Sequence, residues 1–491
     1  MNVSRVAVIG AGPTGLAAAK YLLAEKFQRI DVFEKQSEVG GVWYYSAKPS
    51  STLKVPQTDP RLSPDPPVYS PGENGDAKVI PLFPSPMYDD LNTNIPHTIM
   101  KYSDLAFRDG CEIFPTRQDV QDYLVKYAKD VRHLIKFSTQ VTNIALRQDQ
   151  QQRDQWDIST KDLITGNEAQ DTYDAVVVAS GHYSTPYIPD TIENISEFHA
   201  AHPGSISHSK LYRNAEPYRN KKAVVVGTGA SGLDIASQIQ RVCKPPLIIS
   251  AQTEAPTETL EHLGKVEQRG QIKRFHAEER AVEFEGDDGH IEKDVDAVLF
   301  CTGYLFTFPF LTLDPPLITD GRKVHGLAKH FLHVAHPTIA FPGLPIKVIP
   351  FPLAESQASI FSRIWSNRVP LPSRETLEAW ERADAEAAIP GKYHVFPKGG
   401  DGRYINEVHE WATQNTKKTG DDDSVGKEPP YWDDELLWQR SIYAEAKMQF
   451  EKTGRKAKTL AELGFRYEPK KVEGTTLEDA KRKDPQLDVA G

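Results

Sequence analysis

Two apolar runs near the start of the chain predict a strand, a helix and a second strand. The first run begins by about Val3 and leads at Ile9 into G-x-G-x-x-G, after which an Ala- and Leu-rich helical pattern follows. The second run ends at the acid Glu34, about 22 residues after the middle glycine, close to the roughly 20 typical of ribose binding. This order predicts a dinucleotide-binding βαβ unit, and a glycine turn in an ordinary βαβ unit is the alternative.

Each glycine of this turn has its own predicted task. Gly10 permits the tight turn from strand to helix, Gly12 lets the backbone approach a pyrophosphate, and Gly15 lets the helix pack closely on the strand. The helix N-terminus offers N–H groups and a positive dipole to the phosphates, and Glu34 would accept hydrogen bonds from a ribose. The residues predicted to contact this dinucleotide are Gly10, Gly12, Pro13, Thr14, Gly15, Glu34 and Lys35.

A second glycine pair, Gly40-Gly41, follows the second strand and precedes Val42-Trp43. It suits another close approach of the backbone to a ligand, with Trp43 as a flat apolar wall, and a turn with a buried tryptophan is the alternative. From Ser46 to Pro86 the chain is rich in Pro, Ser and Asp, which predicts a long, irregular excursion over the surface.

Periodicity predicts further elements downstream. Apolar residues at helical spacing behind Phe114-Pro-Thr predict an amphipathic helix, and alternation from Ile135 to about Ile158 predicts a hairpin or meander. The run from Tyr173 to Gly181 is typical of a short buried strand. His182 to Pro189 then predicts an extended connector that serves as a domain hinge.

The glycine pattern repeats after Lys221. A second apolar strand leads into Gly227-Thr-Gly229-Ala230-Ser231-Gly232 and a helix, and the next strand ends at Ser250. The acid is missing here, because Ser250 or Ala251 stands where Glu34 stands in the first unit. A carboxylate would repel a 2′-phosphate, so its absence permits NADP. No Arg or Lys follows the strand immediately, which leaves NAD as the alternative.

The strand from Val295 to Tyr304 resembles the strand before Gly181 and returns the chain to the first unit. The sequence thus predicts an α/β fold with two Rossmann-like dinucleotide-binding domains, the NADP domain inserted into a discontinuous FAD domain. Residues 1–185 and 304–491 form the predicted FAD domain and residues 186–303 the NADP domain. Phe351 to Arg363 predicts a helix, and the charged region from Leu371 is interpreted as helical decoration with a low-complexity loop at residues 417–430.

Composition narrows the class of protein. The 491 residues carry a net charge of −10, which argues against nucleic acid as a partner. Cys111, Cys243 and Cys301 lie far apart and form no redox pair or metal-ligand spacing, so a disulfide reductase and a metal site are disfavoured. Oxygen, a quinone or an organic compound is left as the electron acceptor. No apolar stretch is long enough to span a bilayer, and a cytoplasmic location is expected.

From Val6 to about Pro372 the chain resembles the flavin-containing monooxygenase family, especially its soluble fungal-type members. Both glycine fingerprints, Gly40 to Trp43, Thr93 to Pro96 and Pro352 to Ala358 occur in family order. The family signature F-x-G-x-x-x-H-x-x-x-[YF] is matched at Gly204, His208 and Tyr212, with His202 in place of the Phe.

The resemblance implies an enzyme in which NADPH reduces FAD and O₂ adds to give a C4a-hydroperoxide. The distal oxygen then passes to a nitrogen or sulfur of a small amine, thiol or sulfide. Baeyer–Villiger or N-hydroxylating monooxygenases are the alternatives, as is an uncoupled NADPH oxidase or a cofactor-binding regulatory flavoprotein. Family members commonly self-associate, so a homo-oligomer is an expectation.

The resemblance also implies roles for single residues. Asn94 is the implied catalytic residue, with a turn residue before Pro96 as its alternative. For His208 a structural bridge between the domains is favoured over titration. The implied FAD contacts further include Gly41, Val42, Trp43, Thr93, Asn94, Val141, Thr302, Gly303 and Gln357. The implied NADP contacts are His208, Tyr212, Gly227, Gly229, Ala230, Ser231 and Gly232.

Overall fold

Strands and helices alternate along most of the chain. The computed structural model describes residues 1–49, 53–62, 65–71, 79–286, 289–388, 393–414 and 426–469. The strands in chain order are β1 (Arg5–Ile9), β2 (Arg29–Phe33), β3 (Val68–Pro71), β4 (Val79–Leu82), β5 (Ile135–Lys136), β6 (Thr139–Gln148), β7 (Asp154–Asp162), β8 (Glu168–Tyr173), β9 (Ala175–Val178), β10 (Thr185–Pro186), β11 (Ile206–His208), β12 (Ala223–Val226), β13 (Leu247–Ser250), β14 (Val266–Arg269), β15 (Ile272–His276), β16 (Ala281–Phe284), β17 (Ile291–Glu292), β18 (Ala297–Phe300), β19 (Tyr304–Leu305), β20 (Leu327–Ala328), β21 (Leu332–His333) and β22 (Ile339–Ala340). The α-helices are α1 (Pro13–Ala24), α2 (His97–Met100), α3 (Arg117–Tyr127), α4 (Ile195–Ala201), α5 (Ala230–Ile239), α6 (Thr257–Leu263), α7 (Pro350–Trp365), α8 (Arg374–Ala387), α9 (Gly400–Gln414) and α10 (Asp434–Lys452).

The first sheet has seven strands in the order β20-β21-β22-β9-β1-β2-β5. Strand β1 lies parallel to both β2 and β9, and its apolar run is buried on both faces, as expected for a central parallel strand. Helices α1, α7 and α9 pack on one face of this sheet. The meander β6-β7-β8 packs on the other face, which confirms the hairpin or meander predicted from the alternation after Ile135.

The second sheet repeats this layering. Its five strands run parallel in the order β11-β18-β12-β13-β14. Helices α5 and α6 pack on one face, and the three-stranded sheet β15-β16-β17 packs on the other. The chain enters this unit through β10 and leaves through β19, and these two short strands pair antiparallel. The predicted α/β class with two Rossmann-like units is confirmed.

The prediction for residues 46–86 is wrong in part. Strands β3 and β4 form an antiparallel ribbon, and Gln57 is fully buried and pairs with Ile188 in the connector. Proline, serine and aspartate dominate the composition of residues 46–86 as a whole. Two short segments within this range nevertheless contain enough β-branched residues to pair as strands. The structure therefore places part of this excursion against the connector between the sheets.

The region after Leu371 is helical, as predicted, but it is more than decoration. Tyr404 of α9 lies in the core formed with the seven-stranded sheet, α1 and α7. Phe450 of α10 packs against Phe114. Asp401 and Arg440 form a buried ion pair, with Nε 2.8 Å from Oδ2. Of the predicted low-complexity loop, residues 417–425 lie outside the described residues. No helix in the described ranges is long and apolar enough to cross a membrane.

Candidate functional site

The first glycine turn lies at the carboxyl end of β1, between β1 and α1. Gly10 has a φ of 104°, and a β-carbon there would lie 2.6 Å from the carbonyl oxygen of Ala179. A β-carbon on Gly15 would overlap the carbonyl oxygen of Gly10. Gly12 caps α1 with Pro13 at its first position, and a glycine has no side chain to shield the first amides from a phosphate. The turn thus has the shape and the polarity that an anionic dinucleotide requires.

The Gly40–Trp43 segment lies directly on this turn. The amide of Gly40 donates to the carbonyl of Ala11 at 3.1 Å, and a β-carbon on Gly41 would lie 3.0 Å from the Cα of Gly12. Gly40 and Gly41 have φ values of 123° and 57°. The second glycine pair is therefore needed for the close approach of the two backbone segments. Trp43 is partly buried and packs against the core formed with the seven-stranded sheet, α1 and α7.

Glu34 faces the glycine turn. One carboxylate oxygen accepts from the amide of Ala11 at 2.6 Å and the other from the amide of Gln36 at 2.8 Å. Burial raises the pKa of Glu34, and these two amide donors act in the opposite direction. In this structure Glu34 fixes the turn, and its predicted contact with a ribose stays a prediction. Beside it, burial lowers the pKa of Lys35, whose ammonium lies 4.3 Å from the ring centre of Phe83.

Gln357 lies behind the start of α1. It is fully buried on α7; its side-chain oxygen accepts from the amide of Gly343 at 2.8 Å, and its amide nitrogen donates to Tyr404 at 3.1 Å. A β-carbon on Gly343 would lie 2.6 Å from the hydroxyl oxygen of Thr14. The structure gives Gln357 a supporting position through Gly343 and Thr14, and its direct contact with FAD stays a prediction.

Asn94 lies on a turn whose backbone pairs with the residues immediately before α3. The preceding Thr93 is buried, its amide donates to the carbonyl of Pro115 at 2.8 Å, and its hydroxyl donates to Ile95 at 2.8 Å. Asn94 itself is partly exposed. Val141 lies buried on β6, two residues after Thr139. The amide of Thr139 donates to the backbone carbonyl of Glu34 at 2.8 Å.

The second glycine turn repeats the geometry of the first. Gly227 has a φ of 107°, and a β-carbon there would lie 2.8 Å from the carbonyl oxygen of Cys301. A β-carbon on Gly232 would overlap the carbonyl oxygen of Gly227. Gly229 caps α5, and Ala230 and Ser231 are exposed in its first turn. This turn is therefore open to a second nucleotide.

Backbone hydrogen bonds identify the position of the missing acid. Gly10 donates to Phe33 and Gly227 donates to Ser250, both at 2.8 Å. Because Phe33 and Ser250 are equivalent, the residue that corresponds to Glu34 is Ala251. The sequence left Ser250 and Ala251 as two choices, and the structure selects the second. An alanine cannot repel a 2′-phosphate.

His208 joins the second sheet to the chain that leaves it. It is fully buried; its Nδ1 accepts from the amide of Lys210 at 3.1 Å, so Nε2 carries the proton and donates to the carbonyl of Gly303 at 3.1 Å. Thr302 donates to the carbonyl of Tyr187 in the other connector. The structural interpretation of His208 fits this geometry, whereas contact of His208, Thr302 or Gly303 with a cofactor stays a prediction.

His208→Asn is expected to cost less stability at pH 5 than at pH 7. Burial lowers the pKa of His208 to about 3, below its ordinary value near 6.5, so the unfolded chain binds a proton between these values that the folded chain does not. The stability that neutral His208 provides is therefore lost as pH falls through this window, by about 2 kcal/mol at pH 5. Urea unfolding of both proteins at the two pH values measures this difference, and an equal cost at both would contradict it.

Tyr212 lies in the core beside α5. Its hydroxyl donates to Gln238 at 3.0 Å, and its ring meets Tyr88 edge-on at 5.3 Å between centroids. The predicted contact with the nicotinamide nucleotide stays a prediction. Sequence patterns did not single out Tyr88, which reaches Asp234 on α5, or Tyr404 and Arg455 of the C-terminal region. Their partners lie far away in the chain, so no local spacing marks them.

Cys111, Glu112 and Asp119 bring three donor atoms within 4.8 Å of one another. Asp119 already accepts hydrogen bonds from Arg108 and Thr116 and caps α3. Burial raises the pKa of the Cys111 thiol to about 11. Asp119 therefore has a structural role at the start of α3.

Comparison with known proteins identifies the family. The model of the flavin-binding monooxygenase-like family matches residues 84–257 and 252–418, and an NAD(P)-binding Rossmann-like domain matches residues 8–58. The thiol-specific monooxygenase of Saccharomyces cerevisiae is 30% identical over 450 residues, which cover 88% of this chain and 90% of that protein. The flavin-containing monooxygenase FMO GS-OX-like 4 of Arabidopsis thaliana is 32% identical over 385 residues, covering 76% and 78%.

A solved structure shows the same fold over most of the chain. The S-allyl-L-cysteine S-oxygenase from Allium sativum superimposes with a TM-score of 0.68 at 25% identity, covering 90% of this chain and 98% of that one.

Proposed function

This chain belongs to the flavin-binding monooxygenase family, and from that premise we propose that it uses NADPH and O₂ to oxygenate the sulfur of a small thiol or sulfide. Its cofactors are FAD and NADP(H). The observation that carries the proposal is the presence of two nucleotide-type glycine turns, each at the carboxyl end of its own parallel strands. We propose sulfur and not nitrogen as the oxygenated atom because a thiol-specific relative and an S-oxygenase align over most of the chain.

We assign FAD to the unit of residues 1–185 and 304–491, and NADP(H) to residues 186–303. The strands of the seven-stranded and five-stranded sheets fall within these ranges, and the chain crosses between them only through β10 and β19 in the part that the structure describes. The turn that Gly10 and Gly15 shape, together with Gly12 and Gly41, would hold the FAD pyrophosphate, and the open first turn of α5 would hold that of NADP(H).

The side chains of this chain would contribute mainly by binding and positioning. FAD, when bound, supplies the oxygen-activating chemistry. Burial lowers the pKa of His208 and keeps it neutral near pH 7, so it supplies no proton. The Asn94 amide can donate and accept hydrogen bonds without changing charge. We propose that it orients the reacting atoms where the two cofactors meet, while the surrounding buried residues exclude water.

NADPH oxidation by the FAD-loaded protein is expected to accelerate several-fold with S-allyl-L-cysteine or cysteine, with oxygenated sulfur recovered in proportion. Asn94→Ala should retain FAD and lower this coupled rate by about ten-fold or more, equal to about 1.4 kcal/mol of activation free energy. Oxygen uptake, NADPH absorbance and mass spectrometry of the product measure these effects.

The matched control is Asn143→Ala, which removes an exposed amide on β6. It should change neither the FAD content nor the coupled rate of NADPH oxidation. Acceleration by N,N-dimethylaniline alone would move the activity to nitrogen, and conversion of a ketone to an ester would support a Baeyer–Villiger enzyme. NADPH consumption that yields only hydrogen peroxide, whatever compound is added, would refute the proposal and leave an uncoupled oxidase.

A further inference from the structure

A buried group of charged residues links the C-terminal helix α10 to the nucleotide helix α5. We call Asp234, Lys447, Glu451 and Arg455 the α5–α10 cluster. Arg455 Nη2 lies 3.7 Å from Asp234 Oδ1, and Glu451 pairs with both Arg455 and Lys447, the latter at 2.9 Å. The four side chains are 7–21% exposed. Charges this far from water interact more strongly than an exposed surface pair.

The cluster also holds the segment that leads to Asn94. The hydroxyl of Tyr88 donates to Asp234, and Arg455 Nη1 donates to the carbonyl of Asp90 at 3.3 Å and to the side-chain oxygen of Asn92 at 3.4 Å. Asp234 therefore contacts the segment of residues 88–92 at Tyr88, and Arg455 contacts it at Asp90 and Asn92.

The backbone at Arg455 turns sharply at the end of α10, where the amide of Arg455 donates to the carbonyl of Phe450 at 3.0 Å. Arg455 has a φ of 60°, a left-handed conformation that is unfavourable for a residue with a β-carbon, and it follows Gly454 with a φ of 79°. The chain beyond it is fixed, because Ala457 accepts from the amide of Ile113 at 2.9 Å and packs with Phe450 in the same core. Strain of this kind persists only where the surroundings impose it.

We propose that Arg455 and Asp234 are positioning residues that hold the Asn94 segment against α5, so that the nicotinamide nucleotide stays bound beside the flavin. This inference rests on the proposed function, because it assigns NADP(H) to the open turn of α5. Its consequence is that the C-terminal region, distant in sequence from both glycine turns, controls the affinity for the oxidised nucleotide and the share of electrons lost to peroxide.

The test is a double-mutant cycle on the FAD-loaded protein with Arg455→Gln and Asp234→Asn. The amide oxygen introduced by Asp234→Asn can still accept from Tyr88, so the cycle isolates the charge pair. Each single variant should weaken NADP⁺ binding by about five-fold or more and raise the peroxide yield per NADPH, and the double variant should be no weaker than the singles. Arg455→Lys should recover most of the affinity. Fluorescence titration with NADP⁺, peroxide assay and thermal melting are the readouts.

Lys456→Gln is the matched control, since it removes the same charge from the next, exposed residue and should leave NADP⁺ affinity unchanged. Equal losses in Lys456→Gln, strictly additive losses in the cycle, or an unchanged affinity in Arg455→Gln would each overturn the proposal. If Asp234→Asn fails to fold, Tyr88→Phe replaces it, and the cycle then tests whether the contact of Asp234 with Tyr88 and the contacts of Arg455 with Asp90 and Asn92 act together on the segment. NADP⁺ binding needs no turnover, so a wild-type protein that oxygenates nothing would refute the proposed function and still allow this test.

Discussion

Gly15→Ala is expected to give a folded protein that retains much less FAD than the wild type. A β-carbon at this position would overlap the carbonyl oxygen of Gly10, and both groups are held by backbone that cannot rotate away. Relief requires α1 to move away from the turn between β1 and α1, which opens the site that the phosphates occupy. Overpacking of this kind costs about 2 kcal/mol, or roughly 30-fold in the dissociation constant if it falls on the bound state. The flavin-to-protein absorbance ratio after gel filtration measures the loss.

The control for this substitution is Gly166→Ala in an exposed turn. Gly166 also has a positive φ, of 76°, but a β-carbon there would meet nothing within 4 Å. It should keep its full complement of FAD. A Gly15→Ala protein that retains FAD as the wild type does would show that the turn tolerates the displacement and that the phosphates lie elsewhere.

Gly232→Ala is expected to separate the two nucleotide functions. Its β-carbon would overlap the carbonyl oxygen of Gly227, so the second turn should be displaced while the first is untouched. We expect FAD to remain bound and dithionite to reduce it normally. The KM for NADPH in flavin reduction should rise roughly 30-fold, on the same estimate of about 2 kcal/mol.

Comparison of the two alanine variants is itself the sharpest check on the cofactor assignment. If Gly232→Ala loses FAD and Gly15→Ala keeps it, the two nucleotides are exchanged between the units. An unchanged KM for NADPH in Gly232→Ala would place the nicotinamide nucleotide away from α5. Stopped-flow absorbance of the flavin during reduction distinguishes these outcomes.

Features that depend on short sequence separation were predictable. Gly10, Gly15, Gly227 and Gly232 follow from a spacing of a few residues between a strand and a helix, and each glycine has the contact that the spacing implies. The helix α7 was predicted over Phe351 to Arg363 from its proline start, and the structure has it at Pro350–Trp365. Local geometry decides such elements, so a single sequence carries enough information.

Features that depend on the turn's own conformation or on distant partners were not predictable. The hydrogen bond from the amide of Ala11 to Glu34 was not among the predictions, because it depends on the direction in which the turn points that amide. The hydrogen bonds of Gln357 with Gly343 and Tyr404 were not predicted either, because both partners lie well away from it in the chain. Arg455 lies near Asp234 in the fold although the two are more than 200 residues apart in the chain, and α10 packs beside Phe114. Periodicity carries no signal for such pairs.

The paired strands β10 and β19 have a consequence for the ancestry of the chain. Thr185 lies opposite Leu305 and Pro186 opposite Tyr304, so the polypeptide leaves the first sheet and returns to it at neighbouring points. A segment whose two ends are adjacent can be gained, lost or exchanged without changing the path of the chain in the first unit, because only a short gap has to be closed. If residues 186–303 bind NADP(H) as we propose, exchanging this segment between relatives is expected to change the use of the coenzyme.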